Sequence, residues 1–161
     1  MREDIKGLKA LGVSAQRNKK SYQFEKPDST VIECFDRVDK GCEMLVTFHS
    51  KENLQSLCPL TGQPDSCNQL WIQYIPNVKM IESKSLKLYL NGFRNFGCFH
   101  EEIACIICKD LYMACKPRFM RVMADYEPRG GIAIMPSAIL CDTKYVLPGR
   151  LAQQLVLAKT F

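Results

Sequence analysis

The sequence predicts a single α+β domain, and three observations carry that prediction. Extended runs flank two consecutive helical patterns, in the order strand, strand, helix, helix, strand, strand. Helices grouped together between strands, rather than alternating with them, point to α+β. The length of 161 residues and the 47% hydrophobic content suit one domain with its own core, and no internal repeat or low-complexity segment divides it.

Each element has a local justification. Residues 1–40 read as an N-terminal arm, with loop-like Asn18-Lys-Lys and Lys26-Pro-Asp-Ser and a short extended piece at Tyr22-Gln-Phe. The domain proper is expected over 41–161. Cys42 to His49 reads as the first strand and Leu70 to Ile75 as the second, stopped by Pro76, with a loop between that lets them pair antiparallel. Ser83 to Arg94 places Leu86, Tyr89, Leu90 and Phe93 at i, i+3, i+4 and i+7, which predicts a helix, and Asn95-Phe-Gly97 breaks it. A second helix is predicted from His100 to Cys115, with Ile103, Ile106, Ile107, Leu111 and Ala114 on one stripe. Its first turn carries Glu101 and Glu102, where acids suit the macrodipole, and Lys116-Pro117 ends it. Phe119 to Tyr126 alternates as a third strand, Pro128-Arg-Gly-Gly131 is a turn, and Ile132 to Met135 is expected as the fourth strand.

Composition narrows the function classes. The start, Met1-Arg-Glu-Asp-Ile-Lys, has no apolar signal core, and no apolar run is long enough to span a bilayer, so a cytoplasmic, non-membrane protein is expected. Nine cysteines without such a signal, and in odd number, read as reduced thiols rather than a disulfide framework. The net charge of +5 suits a phosphorylated cofactor or RNA as well as plain solubility, and direct nucleic-acid binding is not expected. Cys105-Ile-Ile-Cys108, with Cys115 beyond, lies inside a helical pattern with no second ligand pair, so these are expected as core thiols and no metal is expected.

Four segments carry chemistry. Cys58-Pro-Leu-Thr-Gly-Gln-Pro-Asp65 joins a thiol to a carboxylate through a turn. An ordinary thiol has a pKa of roughly 8.5, so nucleophilic work needs a nearby positive charge, dipole or base. An adjacent carboxylate would raise that pKa, so Asp65 makes better sense as a proton shuttle; a structural loop also fits. In Ile81-Glu-Ser-Lys-Ser-Leu-Lys-Leu-Tyr89, Lys84 and Lys87 lie one helical turn apart, where two ammonium groups can clamp a phosphate. The same pattern also describes a capped helix with solvated lysines. In Phe93-Arg-Asn-Phe-Gly-Cys-Phe-His-Glu101, His100 and Glu101 open a helix, and a carboxylate there can accept the N–H donors of a purine-like edge. The glycines of Pro128-Arg129-Gly130-Gly131 allow close backbone approach to a ligand, and Arg129 could contact phosphate, although a plain turn is equally consistent.

Together, Ser56 to Asp65, Glu82 to Tyr89, Phe93 to Glu101 and Pro128 to Ile132 resemble the successive motifs of the QueF family, the NADPH-dependent 7-cyano-7-deazaguanine reductases of queuosine biosynthesis. The likeness runs from about Thr47 to Met135 and matches the short, single-domain form. It implies the tunnelling fold: an antiparallel sheet with two helices on one face, whose subunits close into a barrel. It further implies a homo-oligomer, a decamer of two stacked pentamers with active sites between subunits. The resemblance assigns catalysis to Cys58, Asp65 and His100, with Cys58 forming a thioimide on the nitrile carbon. Substrate contacts fall to Ile81, Glu82, Ser83, His100 and Glu101. Lys84, Lys87 and Arg129 match the positions that hold NADPH, two of which are consumed per turnover. Two departures stand out: Gln55 replaces a common Thr, and one extra residue lies in Ser66-Cys-Asn-Gln69. Rival readings are a QueF-like amidinotransferase, which adds ammonia to the same nitrile on tRNA but lacks the basic cofactor residues, and a non-catalytic purine- or pterin-binding protein.

Overall fold

The computed structural model describes residues 25–38, 41–51, 54–150 and 152–153. The expected extended piece at Tyr22-Gln-Phe lies outside them. Among the described residues the strands and main helices run, in chain order, β1 Cys34–Asp36, β2 Val46–Ser50, β3 Leu54–Leu57, β4 Pro64–Ile75, β5 Lys79–Ile81, α1 Ser83–Asn91, α2 His100–Cys115, β6 Phe119–Tyr126 and β7 Ser137–Cys141. The main sheet is antiparallel throughout, in the order β2-β4-β6-β7. β3 pairs with the first half of β4, on the same edge that β2 occupies along its second half.

The core forms on one face of this sheet. Leu70, Ile72 and Tyr74 of β4 and Met120 and Val122 of β6 pack with Leu86 and Tyr89 of α1 and Ile103, Ile107 and Leu111 of α2. The helical stripes expected from the sequence thus bury as expected, except that Ala114 is exposed and Cys115 closes the stripe instead. Tyr89 donates a 2.6 Å hydrogen bond to Asp110, tying the two helices together. No helix among the described residues is long and apolar enough to cross a membrane.

Several boundaries differ from the sequence expectation. The first long strand begins at Val46 rather than Cys42, because the Arg37 guanidinium takes the Cys42 carbonyl and that of Pro76, drawing the segment off the ladder. α1 stops at Asn91; Gly92, Phe93 and Arg94 then donate to carbonyls three residues back, a tighter turn than the α-helix. The strand expected over Ile132 to Met135 lies instead at Ser137–Cys141, beyond Pro136. Pro136 offers a carbonyl to the Ala124 amide but has no N–H for the ladder. Within the expected arm, β1 pairs with β5 as a two-stranded ribbon, held also by the 2.7 Å Lys79–Asp36 ion pair. Strands of three residues carry too little alternation to be read from sequence.

One irregularity in β4 positions the site. Cys67 pairs with Tyr126 and Leu70 with Ala124, so the ladder shifts register between Cys67 and Gln69. Partners two apart on β6 face partners three apart on β4, which is a β-bulge. The extra residue noticed in Ser66-Cys-Asn-Gln69 is absorbed there. Because side chains alternate with period two, the bulge turns Asp65 and Cys67 to the same face as Leu70 and Ile72, the face that α2 covers.

Candidate active site

Cys58 begins the loop that joins β3 to β4 at the turn end of their hairpin. The loop is closed by the Cys58 amide donating to the Gln63 carbonyl at 2.8 Å and the Gly62 amide donating to the Cys58 carbonyl at 2.9 Å. Gly62 has φ +68°, a left-handed conformation that costs glycine little. This turn folds hydrogen-bond donors back onto the sulfur. The Thr61 hydroxyl and amide, the Leu60 amide and the Arg129 guanidinium all donate to it, and they hold the Cys58 thiol down to about 6, Thr61 contributing most. At neutral pH the group is a thiolate. Thr61 had no assigned role in the sequence reading; a hydroxyl residue three positions after a cysteine in a Gly/Pro turn was the available signal.

Other described thiols behave differently. Burial pushes Cys67, Cys98 and Cys108 up to about 11 and Cys115 up to about 12. Cys108 and Cys115 are core thiols as expected, whereas Cys105 is exposed. No group of three or more His, Cys, Asp or Glu side chains placed to hold a metal exists among the described residues.

Asp65 lies opposite Ser56 across the hairpin and is 4% exposed. Its two oxygens face different partners. One meets the Arg129 guanidinium at ion-pair range. The other lies 3.1 Å from His100 Nε2, close enough for an ion pair but without hydrogen-bond alignment. His100 opens α2, and the segment before it is anchored to β3: the Leu57 amide donates to Phe96 and the Cys98 amide donates to Leu57, both at 3.0 Å. The Phe99 amide donates to Glu102, the backbone half of a capping box. These ties bring the start of α2 beside the Cys58 loop. The His100 ring stacks on Tyr126 at 3.8 Å, and burial pushes the imidazole pKa down, favouring its neutral form. The Ser56 and Tyr126 hydroxyls are buried there without hydrogen-bond partners. Glu101, next in the helix, is exposed.

The remaining expected residues lie on α1 or immediately before it. Ile81 is buried at the end of β5, its amide donating to the Tyr74 hydroxyl at 3.1 Å. Glu82 caps α1: its carboxylate accepts from the Lys84 amide at 2.8 Å and the Ser85 amide at 2.7 Å. Both oxygens therefore serve the helix, and exposed Ser83 is what the segment presents outward. Ser83 and Lys87 line a groove of about 520 Å³ between α1 and the β2/β3 edge. Phe48, Leu54, Leu86 and Leu90 give it an apolar floor, and His49, Lys51 and Arg94 add to the polar rim. Gln55, one of the two departures, accepts a 2.8 Å hydrogen bond from Arg94 at this rim. An apolar floor with a cationic rim fits a dinucleotide. Lys84 is half-buried outside the lining, and Arg129 is at Asp65, so the structure does not bring Lys84, Lys87 and Arg129 together within one chain.

Comparison with known proteins identifies the lineage. The QueF family profile, described as "QueF-like protein", matches residues 64–145. The chain belongs to the QueF family. A relative from Porphyromonas gingivalis, named NADPH-dependent 7-cyano-7-deazaguanine reductase, is 46% identical over 136 residues, covering 84% of this chain and 83% of the relative. One of the same name from Neisseria meningitidis is 44% identical over 136 residues, covering 84% and 82%. The fold is shared with a solved QueF-family structure, that of the archaeosine synthase QueF-Like in the apo form. It superposes with a TM-score of 0.57 at 20% identity, covering 64% of this chain and 99% of the other.

Proposed function

We propose that this protein reduces the nitrile of 7-cyano-7-deazaguanine to the aminomethyl group with NADPH, through a covalent thioimide on Cys58. The observation that carries the reading is a thiol held as thiolate beside a buried carboxylate and a neutral imidazole, in a chain whose relatives bear the name of that reductase. The thiolate adds to the electrophilic nitrile carbon, one C–N π bond breaks, and the nitrogen takes a proton from Asp65. Nitrile to primary amine is a four-electron reduction, so two NADPH bound in succession would each supply one hydride. Cys58 departs as thiolate after the first reduction and leaves an imine. His100 stays beside Asp65 to keep the proton path in place, while exposed Glu101 accepts from the N–H edge of the deazaguanine.

Glu82 contributes by holding the N-terminus of α1, so that Ile81 and Ser83 present backbone and hydroxyl to the substrate. Lys84 and Lys87 on α1 and Arg129 on its turn bind the cofactor phosphates. Their separation within one chain supports sites formed between subunits of the tunnelling-fold barrel, in a decamer of two stacked pentamers. In such an assembly the α1 groove of one copy meets the Cys58 pocket of the next. The amidinotransferase reading is less favoured, because the basic residues are present and the relatives at 44% and 46% identity are named as reductases.

Intact mass spectrometry tests the covalent step. Protein mixed with 7-cyano-7-deazaguanine, without NADPH, gains the mass of one nitrile base, and Cys58→Ala gains none. An adduct that survives Cys58→Ala, or no adduct on the native protein, refutes the thioimide.

A further inference from the structure

The bulge in β4 also shapes the sheet face opposite the helices. Cys67 pairs with Tyr126 and Gln69 with Asp125, so Asn68 has no opposite number on β6. Side chains alternate along a regular strand, and a bulge suspends that alternation. Here it lets two consecutive carboxamides, Asn68 and Gln69, line one cavity of about 550 Å³ together with His49 and Lys51. The residue that the sequence carries in excess therefore adds a polar group to a cavity, besides aiming Asp65.

One wall of that cavity is aromatic and pre-set. His49 and Trp71 are cross-strand partners, and their rings stack with centroids 5.1 Å apart and planes 8° apart. His49 Nε2 lies 3.3 Å from Gln69 Oε1, where the ring N–H donates to the amide oxygen. These two contacts hold the imidazole plane. Trp71 covers one face of the ring, and His49 is exposed, so its other face is open to a second planar ring. The carboxamides of Asn68 and Gln69 each carry donors and an acceptor, the set that pairs with the amino group and ring nitrogens of adenine.

His49 and Lys51 also line the α1 groove, so the two cavities meet at these residues. Ser83 lies in the groove lining and in the segment assigned to the substrate, which is where the nicotinamide has to be. The β2 rim is then left for the adenosine end of the cofactor. Lys51 is exposed at the junction, and an ammonium there suits the 2′-phosphate that distinguishes NADPH from NADH. We propose that His49, Asn68 and Gln69 seat the adenine of the cofactor and that Lys51 binds its 2′-phosphate, so that the β4 bulge builds a selectivity site for NADPH over NADH. The proposal rests on the reductase reading for its ligand.

Trp71 is the only tryptophan of the chain and lies against His49, so its emission reports on this corner. Adenosine 2′,5′-bisphosphate, the adenosine half of NADPH without the nicotinamide, should change that emission saturably on the full chain. Adenosine 5′-monophosphate should bind about tenfold more weakly, the worth of one charge-assisted hydrogen bond. Lys51→Met should abolish this preference and Lys51→Arg should keep it. His49→Ala, followed by calorimetry because it alters the tryptophan's surroundings, should weaken both nucleotides about five- to fiftyfold through lost stacking. In turnover, Lys51→Met should raise the KM for NADPH about tenfold and leave the KM for NADH where it was. Emission indifferent to the bisphosphate, or a preference for it that survives Lys51→Met, overturns the proposal. A preference lost in Lys87→Met and kept in Lys51→Met places the 2′-phosphate on α1 and overturns it equally. If the nitrile drives NADPH oxidation while the emission stays still, the adenosine seat alone fails. If the bisphosphate binds as expected and no NADPH is oxidised, the reductase reading fails and the seat stands.

Discussion

Thr61→Val isolates the largest influence on the nucleophile. Valine keeps the shape of threonine and removes only the hydroxyl that donates to Cys58, leaving the Thr61 and Leu60 amides in place. With the thiol held at about 6, Cys58 is about nine-tenths thiolate at pH 7, whereas an ordinary thiol near 8.5 would be only a few per cent ionised. Loss of one hydrogen bond to the charged form should raise the titration by about one unit. At pH 7 the thiolate fraction then falls only about twofold, from roughly 0.9 to 0.5. At pH 5.5 it falls about eightfold, from roughly 0.24 to 0.03, so acid is where the variant is exposed. The sign is that of a group whose charged form is favoured: reactivity is full above the titration point and lost as pH drops through it. The assay is iodoacetamide alkylation across pH, with the Cys58 peptide quantified by mass spectrometry so that exposed Cys42, Cys105 and Cys141 do not contribute. Thr61→Ser should restore the native profile. A Thr61→Val profile that coincides with native would refute the assignment of the thiolate to this turn.

Two further outcomes concern the scaffold. Glu82→Ala removes both caps from the buried start of α1 and should destabilise the fold by about 1–2 kcal/mol, a fall in Tm of roughly 3–8 °C by thermal unfolding. An unchanged Tm would mean the carboxylate is reserved for ligand rather than for the helix. Gly92→Ala would place a Cβ 2.7 Å from the Lys26 carbonyl oxygen and 2.8 Å from Pro27 Cα, both backbone. The segment must shift, at about 1–3 kcal/mol, and native-like stability in the same melt would contradict that close approach.

How much was legible follows from range. α1 and α2 were readable because Leu86, Tyr89, Ile103, Ile107 and Leu111 repeat at helical period over several turns, and that stripe is what the sheet buries. The first half of β4 was not. Pro64, Asp65, Ser66, Asn68 and Gln69 hide its apolar alternation, and the bulge after Cys67 changes the period midway. The Cys58 to Asp65 segment was legible as a motif because thiol and carboxylate are local to one hairpin. Its electrostatics were not, because Arg129 and His100 reach Asp65 from distant parts of the chain. The face that Asp65 presents depends on the bulge, so the residue flagged as extra proves to be what aims the carboxylate at α2.

The central claim is a thiol-dependent nitrile reduction, and the most direct test is NADPH consumption. Adding 7-cyano-7-deazaguanine to protein with excess NADPH should lower the nicotinamide absorbance by two NADPH per nitrile converted, with no consumption by Cys58→Ala. Nicotinamide absorbance that stays flat with the native protein, or a stoichiometry of one, would contradict the account.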